Sequence, residues 1–337
     1  MAVLLPPQVH VFVRDWLSAN HVVLKGRDGC VVVDSGYVKH LPLTLALIAS
    51  RMGLDGRPLT KLVNTHCHSD HMGGNAALAH AYACPVAVPE GEAAAVAAWD
   101  QRALLLDYAG QRADRFSADE ALRPGTSQVW GDLEWRAIAA PGHDMAALVF
   151  YNDEHGILIS GDALWENGYG FVMPAAFDPS ALPATRATLE TLAELDVRCV
   201  IPGHGEPFGD FQAAIERALR RTAAFEADPL RLASHGLKVI LVFSLLDRER
   251  MRLAQVPDFV AKLGIFSEFN TRYFGLSATA LAERLVTELV KVGAVRRSDD
   301  FRSPRSGSRR PAPRTKLWMR APRLGQLMSA AGAPSGS

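Results

Sequence analysis

The chain of 337 residues is long enough for one large domain or two ordinary ones around a substantial core. An apolar share of 48% with 21% charged residues excludes a disordered or fibrous class, and no run of about 18 apolar residues offers a membrane span. The net charge of zero hides an asymmetry: eight basic residues and no acid lie from position 302 onward, from Arg302 to Arg323, so the body carries 28 basic residues against 36 acidic ones. A body at net −8 has the wrong sign for gripping nucleic acid.

In chain order, "MAVLLPPQVHVFVRD" has a short apolar patch without a basic leader or long apolar centre, so a cytoplasmic protein is expected. "QVHVFVRD" and "HVVLKGRDGCVVVDSG" read as strands, with "GRDG" as a hairpin turn. Residues 41 to 52 switch to helical periodicity. "KLVNTH" is a short buried strand and "GGNAALAHAYAC" the helix after it, which puts "NTHCHSDHMGGN" in a strand-to-helix connection, where function gathers in open α/β architectures. "CPVAVP" is a further strand, followed by an Ala-rich helix from 90 to 110. "LEWRAIAAPGHD", "ALVFYND", "GILISGDAL" and "RCVIPGHG" are strands that end in or lead to candidate ligands, and "ATRATLETLAELDV" is a helix with Leu189, Leu192 and Leu195 on one side.

After 225 the composition turns helical. In "SATALAERLVTELVKVGAVRR", Leu281, Leu285 and Leu289 recur four apart and Gly293 is a natural stop; "AVRR" then reads as a strand of a wing. Glu283 and Glu288 among its basic residues argue against a DNA-recognition helix, so the stripe is expected to pack on the metal domain or on a homodimer partner. The organisation predicted is residues 1–225 as a catalytic domain, 226–301 as a small, mostly helical, winged-helix-like domain, and 302–337 as a basic disordered tail with a short element at "TKLWMRAP".

"NTHCHSDHMGGN" packs His66, His68, Asp70 and His71 into six positions. Imidazoles and carboxylates are the ligands that suit zinc or iron. His66 and His68 alternate across one residue and point the same way from an extended backbone, whereas Cys67 falls on the other side and is expected to be packed. Cys30, Cys67, Cys84 and Cys199 contain no CxxC pair, so neither a disulfide framework nor a zinc ribbon is expected. His143 in "APGHD", Asp162 in "SGDAL" and His204 in "IPGHG" add three candidates at strand ends, two of them after a Pro-Gly turn. Three histidines around one metal, Asp70, His71 and His204 around a second, and Asp162 between them make a dinuclear site. A metal-bound hydroxide there is a nucleophile at neutral pH.

The order HxHxDH, then His, Asp and His, resembles the metallo-beta-lactamase superfamily over residues 8 to 225. That resemblance implies an α+β fold, an αββα sandwich with metals at one edge of two sheets. It implies His66, His68 and His143 on one metal, Asp70, His71 and His204 on the other, and Asp162 bridging. "VVVDSG", with Asp34 and Gly36, resembles an early family segment that supports the site from beneath. The ligand set is closer to glyoxalase II-type hydrolases than to true beta-lactamases, and the helical extension resembles the winged-helix-like addition of a beta-lactamase-like subgroup, one mitochondrial member of which is associated with cleaving single-stranded RNA.

The expected activity is hydroxide attack on a thioester or ester carbonyl of a small-molecule substrate, with two zinc ions per chain and Asp70 and Asp162 holding metal and water. Iron and manganese accept the same ligands. The alternatives are an endoribonuclease-type phosphodiesterase, a mononuclear iron persulfide dioxygenase, and a regulatory protein that binds DNA through the winged-helix-like part. Trp165, Tyr169 and Phe171, just after Asp162, are expected to line the pocket. Asp144 is either a partner that orients an imidazole or a turn residue, and His10, His21, His40, His80, His155 and His235 are expected at the surface or as caps.

Overall fold

The computed structural model describes residues 5–298 and 318–320. It divides into two compact units, one ending at Gly236 and the other starting at Leu237. The first is built on two sheets. One has the order β1 (Val9–Phe12), β2 (His21–Lys25), β3 (Cys30–Val33), β4 (Leu59–Val63), β5 (Val86–Pro89), β6 (Glu120–Leu122). The other contains β7 (Ser127–Trp130), β8 (Leu133–Ala139), β9 (Leu148–Asn152), β10 (Ile157–Gly161) and β11 (Cys199–Pro202), in the order β11-β10-β9-β8-β7. β3, β4, β5 and β6 run parallel, as do β10 and β11.

Three apolar layers explain why the central strands read as continuous apolar runs. Val31, Val33 and Val63 of the first sheet meet Trp135, Phe150 and Ile159 of the second in the middle layer. The alternate residues Val32, Leu62 and Val88 turn outward onto Ile48, Leu78 and Val96, which lie on α1 (Leu41–Ala49), α3 (Asn75–Tyr82) and α4 (Glu90–Ala98), with the one-turn α2 (Ser69–Met72) between the first two. Past the other sheet, Val149, Leu158 and Val200 pack on Leu189 and Leu192 of α6 (Ala181–Ala193) and on Phe211 and Ile215 of α7 (Phe211–Ala227), with α5 (Leu106–Ala109) earlier in the chain. A strand buried on both faces has no polar side to display, so its period-2 signal vanishes. The result is the αββα sandwich.

One local expectation changes. The Ala-rich helix from 90 to 110 stops at Ala98, because Trp99 and Leu105 adopt left-handed backbone conformations. Asp100 Oδ1 accepts the backbone N–H groups of Arg102 (3.0 Å) and Ala103 (3.1 Å), and this local bonding competes with helix propagation.

The second unit contains the remainder of α8 (Pro229–Arg248), then α9 (Val256–Lys262), α10 (Gly264–Phe269) and α11 (Ala278–Lys291). Ser277 Oγ caps α11 by accepting the Ala280 N–H (3.2 Å), and Gly293 ends it at φ +73°. The stripe of Leu281, Leu285 and Leu289 is buried, with α9 as its neighbour inside the same unit, where the metal domain or a homodimer partner was expected. β12 (Met251–Arg252), β13 (Arg296–Ser298) and β14 (Trp318–Arg320) form a small antiparallel sheet with β14 in the centre. Apart from β14, the basic tail from 302 lies outside the described residues. α8 is long and apolar enough to span a membrane by length and composition, but it is mostly buried inside the protein, as a core helix is.

Candidate metal centre

Asp34 follows β3, the "NTHCHSDH" segment follows β4, Asp162 follows β10 and His204 lies two residues past β11, while His143 is in the β8–β9 loop. The loops are stitched together by backbone bonds: Leu148 N–H donates to the Thr65 carbonyl (2.9 Å), Gly203 N–H to Gly161 (2.7 Å) and Ala19 N–H to Asp70 (2.9 Å). Asn20 adds a strap, its Nδ2 donating to the carbonyls of Pro202 (2.9 Å) and Gly205 (2.7 Å).

Two clusters result. One ligand atom each from His66, His68 and His143 lie within 4.8 Å of one another, and so do one each from Asp70, His71, Asp162 and His204. All seven residues singled out in the sequence are therefore brought to one place. Asp162 faces both groups: Oδ1 is 3.3 Å from His71 Nε2 and Oδ2 is 3.5 Å from His143 Nε2. His204 Nε2 lies 3.2 Å from Asp70 Oδ2.

The outer nitrogens of His66, His71 and His143 are committed to protein partners, which turns their inner ones toward the centre. His71 Nδ1–H donates to Asp34 Oδ2 (2.8 Å), and His143 Nδ1–H donates to the Phe171 carbonyl. Asp34 also accepts the Thr65 N–H (2.9 Å) and hydroxyl (2.9 Å). That hydroxyl, facing His66 Nδ1 at 3.1 Å, leaves His66 Nε2 buried without a hydrogen-bond partner. His68 Nδ1 and His143 Nε2 face each other at 2.8 Å. Inward lone pairs in this arrangement are what a divalent cation satisfies, so the residues fit a metal.

The electrostatics of the three-histidine cluster agree; in the other, burial alone would lower His71, but Asp162 and Asp34 outweigh it and hold the ring well above the ordinary histidine range, in the charged form that a metal would displace. Burial, reinforced by His71 and the other nearby imidazoles, holds His66 well below the ordinary histidine range, and burial with His143 pushes His68 down to about 4. Both are neutral, as ligands must be. Burial alone would raise Asp162, but His71, His204 and His143 outweigh it and keep the carboxylate ionised.

Of the aromatics after Asp162, Tyr169 lines a small cavity beside His143 and Asp162, while Trp165 and Phe171 are packed. Trp165 is buried and donates its indole N–H to Asp162 Oδ1 (3.1 Å), while Tyr169 is buried with its hydroxyl 2.8 Å from Thr222 Oγ1. Phe171 is buried and contributes its carbonyl to His143. Sequence reasoning missed Trp16, whose half-buried ring stacks on His204 at 3.8 Å and 2°; no local signal links residues so far apart. His21 and His235 are also corrected, since both are buried and each is hydrogen-bonded to an arginine, Arg14 and Arg221 respectively. Cys67 is packed, as the alternation implied.

Two glycines keep the ligands in place by having no side chain. A Cβ on Gly203 would lie 2.2 Å from Asp162 Oδ1, and one on Gly170 2.5 Å from His143 Nδ1. Gly203→Ala is expected to weaken metal affinity by about 10- to 100-fold, the range found when ligand support is disturbed. Competition against a chromogenic chelator measures this, and wild-type affinity would mean that the loop yields.

The profile of the metallo-beta-lactamase superfamily matches residues 14–204. A hydroxyacylglutathione hydrolase of Polaromonas sp. is 31% identical over 68% of this chain and 73% of its own length. That of Rhodopseudomonas palustris is 28% identical over 44% of this chain, a match spanning about half (54%) of that relative. The acyl-coenzyme A thioesterase MBLAC2 of Gallus gallus is 29% identical over 57% of this chain and 74% of its own. Among solved structures, a metallo-beta-lactamase family protein of Thermus thermophilus superposes with a TM-score of 0.55 at 20% identity, over 95% of this chain and all of that one (100%), a likeness of fold. With its profile match over residues 14–204, its two-sheet sandwich and its two His/Asp clusters at one sheet edge, the chain belongs to the metallo-beta-lactamase superfamily.

Proposed function

We propose that this protein is a dinuclear metal-dependent hydrolase that cleaves a thioester of a small thiol, with the acyl conjugates of glutathione or coenzyme A as the class to test first. The observation that carries this reading is the pair of buried ligand clusters meeting on the two oxygens of Asp162. His66, His68 and His143 would hold one ion, Asp70, His71 and His204 the other, and Asp162 would serve both; zinc suits this donor set. When bound, such ions lower the pKa of water and polarise a carbonyl.

The residues of the chain do the rest. Asp34 fixes the His71 ring, and the Trp165 indole holds Asp162 from outside the cluster. Asp70 and Asp162 are the acceptors that orient the attacking water, a positioning effect that removes entropy from the reaction. Trp16 covers the His204 ring and shields that side from bulk solvent. Water adds across the C–S bond, oxygen to the acyl carbon and hydrogen to sulfur, giving a carboxylic acid and a thiol.

Elemental analysis of protein purified without chelator or added metal tests the reading, together with a panel of acyl-glutathione, acyl-coenzyme A, lactone and phosphodiester substrates. Near two zinc ions per chain and thioester turnover abolished by His68→Ala is the expected result. About one iron per chain with oxygen uptake on a persulfide, or cleavage of a single-stranded oligonucleotide without thioester turnover, overturns it.

A further inference from the structure

We infer that Tyr169 is a positioning residue for the metal centre: its hydroxyl, anchored on Thr222 of α7, fixes the Phe171 carbonyl that orients the His143 imidazole. The inference rests on the reading of His143 as a ligand and goes beyond it in giving a role to two residues outside the ligand set.

The segment 163–171 leaves Asp162 and comes back to the cluster at both ends. Near its start, the Trp165 indole N–H donates to Asp162 Oδ1 (3.1 Å). Near its end, the Gly170 N–H donates to the Asp162 carbonyl (2.8 Å), and the Phe171 carbonyl accepts His143 Nδ1–H. Which nitrogen a ligand histidine presents to a metal is set by what its other nitrogen meets. The position of one backbone carbonyl thus governs the aim of one ligand.

Little in the segment itself holds that carbonyl. Gly168, at φ +125°, and Gly170 flank Tyr169, and glycine gives up the most conformational freedom on being ordered. An anchor from outside is needed, and α7 supplies it. Thr222 Oγ1 donates to the Ala218 carbonyl (3.0 Å), so it receives the Tyr169 hydroxyl, which donates to it across 2.8 Å. Both side chains are buried, where a lost partner leaves a polar group unsatisfied out of water. Helix and segment meet closely at this point. The Arg221 guanidinium lies over the Tyr169 ring, 5.3 Å from its centre, and a Cβ on Gly168 would lie 2.6 Å from Arg221 Nη1.

The first half of the segment has separate anchors. Arg217 Nε donates to the Glu166 carbonyl (2.8 Å), and the Trp165 backbone N–H donates to the Gly168 carbonyl (2.7 Å). Loss of the Tyr169 hydroxyl bond therefore falls on the His143 side. The small cavity lined by His143, Asp162 and Tyr169 gives a freed ring room to shift.

The test compares full-length Tyr169→Phe, Thr222→Val, Thr222→Ser and the Tyr169→Phe/Thr222→Val pair with the unaltered protein. Each is loaded with zinc, and release to a chromogenic chelator is followed; cobalt-substituted samples give a visible spectrum. Phenylalanine and valine keep the packed shape and each removes one end of the bond. Either single variant is expected to release one ion of the two about 10-fold faster, the other staying at the wild-type rate, the lower end of the effect of disturbed ligand support. The pair is expected to release it no faster than the faster single variant, because both substitutions remove the same bond. Thr222→Ser keeps a hydroxyl and is expected to retain the wild-type release rate and cobalt spectrum, whereas Tyr169→Phe changes both. Wild-type release from Tyr169→Phe overturns the proposal and leaves the hydrolase reading standing. Equal acceleration of both ions does the same, since it marks a general loosening, and so does a pair whose effect is the product of the singles. If Thr222→Val does not fold, Tyr169→Phe and Thr222→Ser decide. An unaltered protein that takes up no metal overturns both readings.

Discussion

Replacing Asp162 by alanine is expected to lower kcat/KM for the thioester by about three orders of magnitude and to reduce metal content as well. Both carboxylate oxygens face ligand histidines, and the side chain is buried, so no other group can take its place. A bound metal contributes several kcal/mol of charge stabilisation to the transition state. Losing about 4 kcal/mol corresponds to about a thousandfold. The substitution also deprives the Trp165 indole N–H of its acceptor and leaves His71 and His204 facing a cavity. Asp162→Asn separates charge from shape: its side-chain oxygen can still accept from Trp165, but the negative charge between the clusters is gone. Elemental analysis beside steady-state kinetics distinguishes the effects. Unchanged turnover in metal-replete Asp162→Ala would remove Asp162 from the mechanism.

Acidification is expected to destabilise the protein through His21, and a variant should reveal how much. His21 is fully buried, its Nδ1–H donates to the Asp34 carbonyl (3.1 Å), and its Nε2 accepts from the buried Arg14 guanidinium. Protonation would set a second cation against Arg14. Burial, then the Arg14 charge, pushes the ring down to about 3. The unfolded chain takes up that proton near the ordinary value of about 6.5, the native state only near 3, so the unfolded state binds more protons throughout that window. Stability from this group is complete above pH 6.5 and falls as the pH drops toward 3. At pH 4.5 the two units below the unfolded value amount to roughly 3 kcal/mol. Urea unfolding at pH 7 and pH 4.5, with chelator present in both so that metal loss does not contribute, measures it. His21→Gln retains an acceptor for Arg14 and does not titrate; its loss between the two pH values should be smaller than the unaltered protein's by about that amount. Equal losses would mean that His21 does not govern the acid limb.

Much of the site was legible in the amino-acid sequence because metal chemistry restricts the residue types. His66, His68, Asp70 and His71 in one connection, with His143, Asp162 and His204 each near the end of an apolar run, could be assembled from ligand chemistry and strand periodicity alone. The layers were legible for a related reason, since Val31 to Val33 and Ile157 to Ile159 are apolar on both faces. α4 was read too long, because alanine content argues for helix over residues 90 to 110 while the turn at Asp100 depends on one side chain bonding to two backbone N–H groups.

His21 and His235 look alike in sequence to any surface histidine; their burial follows from arginines that the fold brings to them. The Trp16 stack on His204 likewise joins residues distant along the chain. Residue chemistry and local periodicity thus determined the ligand set and the apolar strands that deliver it, because those properties are carried by neighbouring residues, while the sandwich was implied by the resemblance of the motif order to the superfamily. Only the tertiary structure decided which nitrogen of each histidine faces inward and that Asp162 addresses both clusters, because each depends on a partner supplied by another strand or loop.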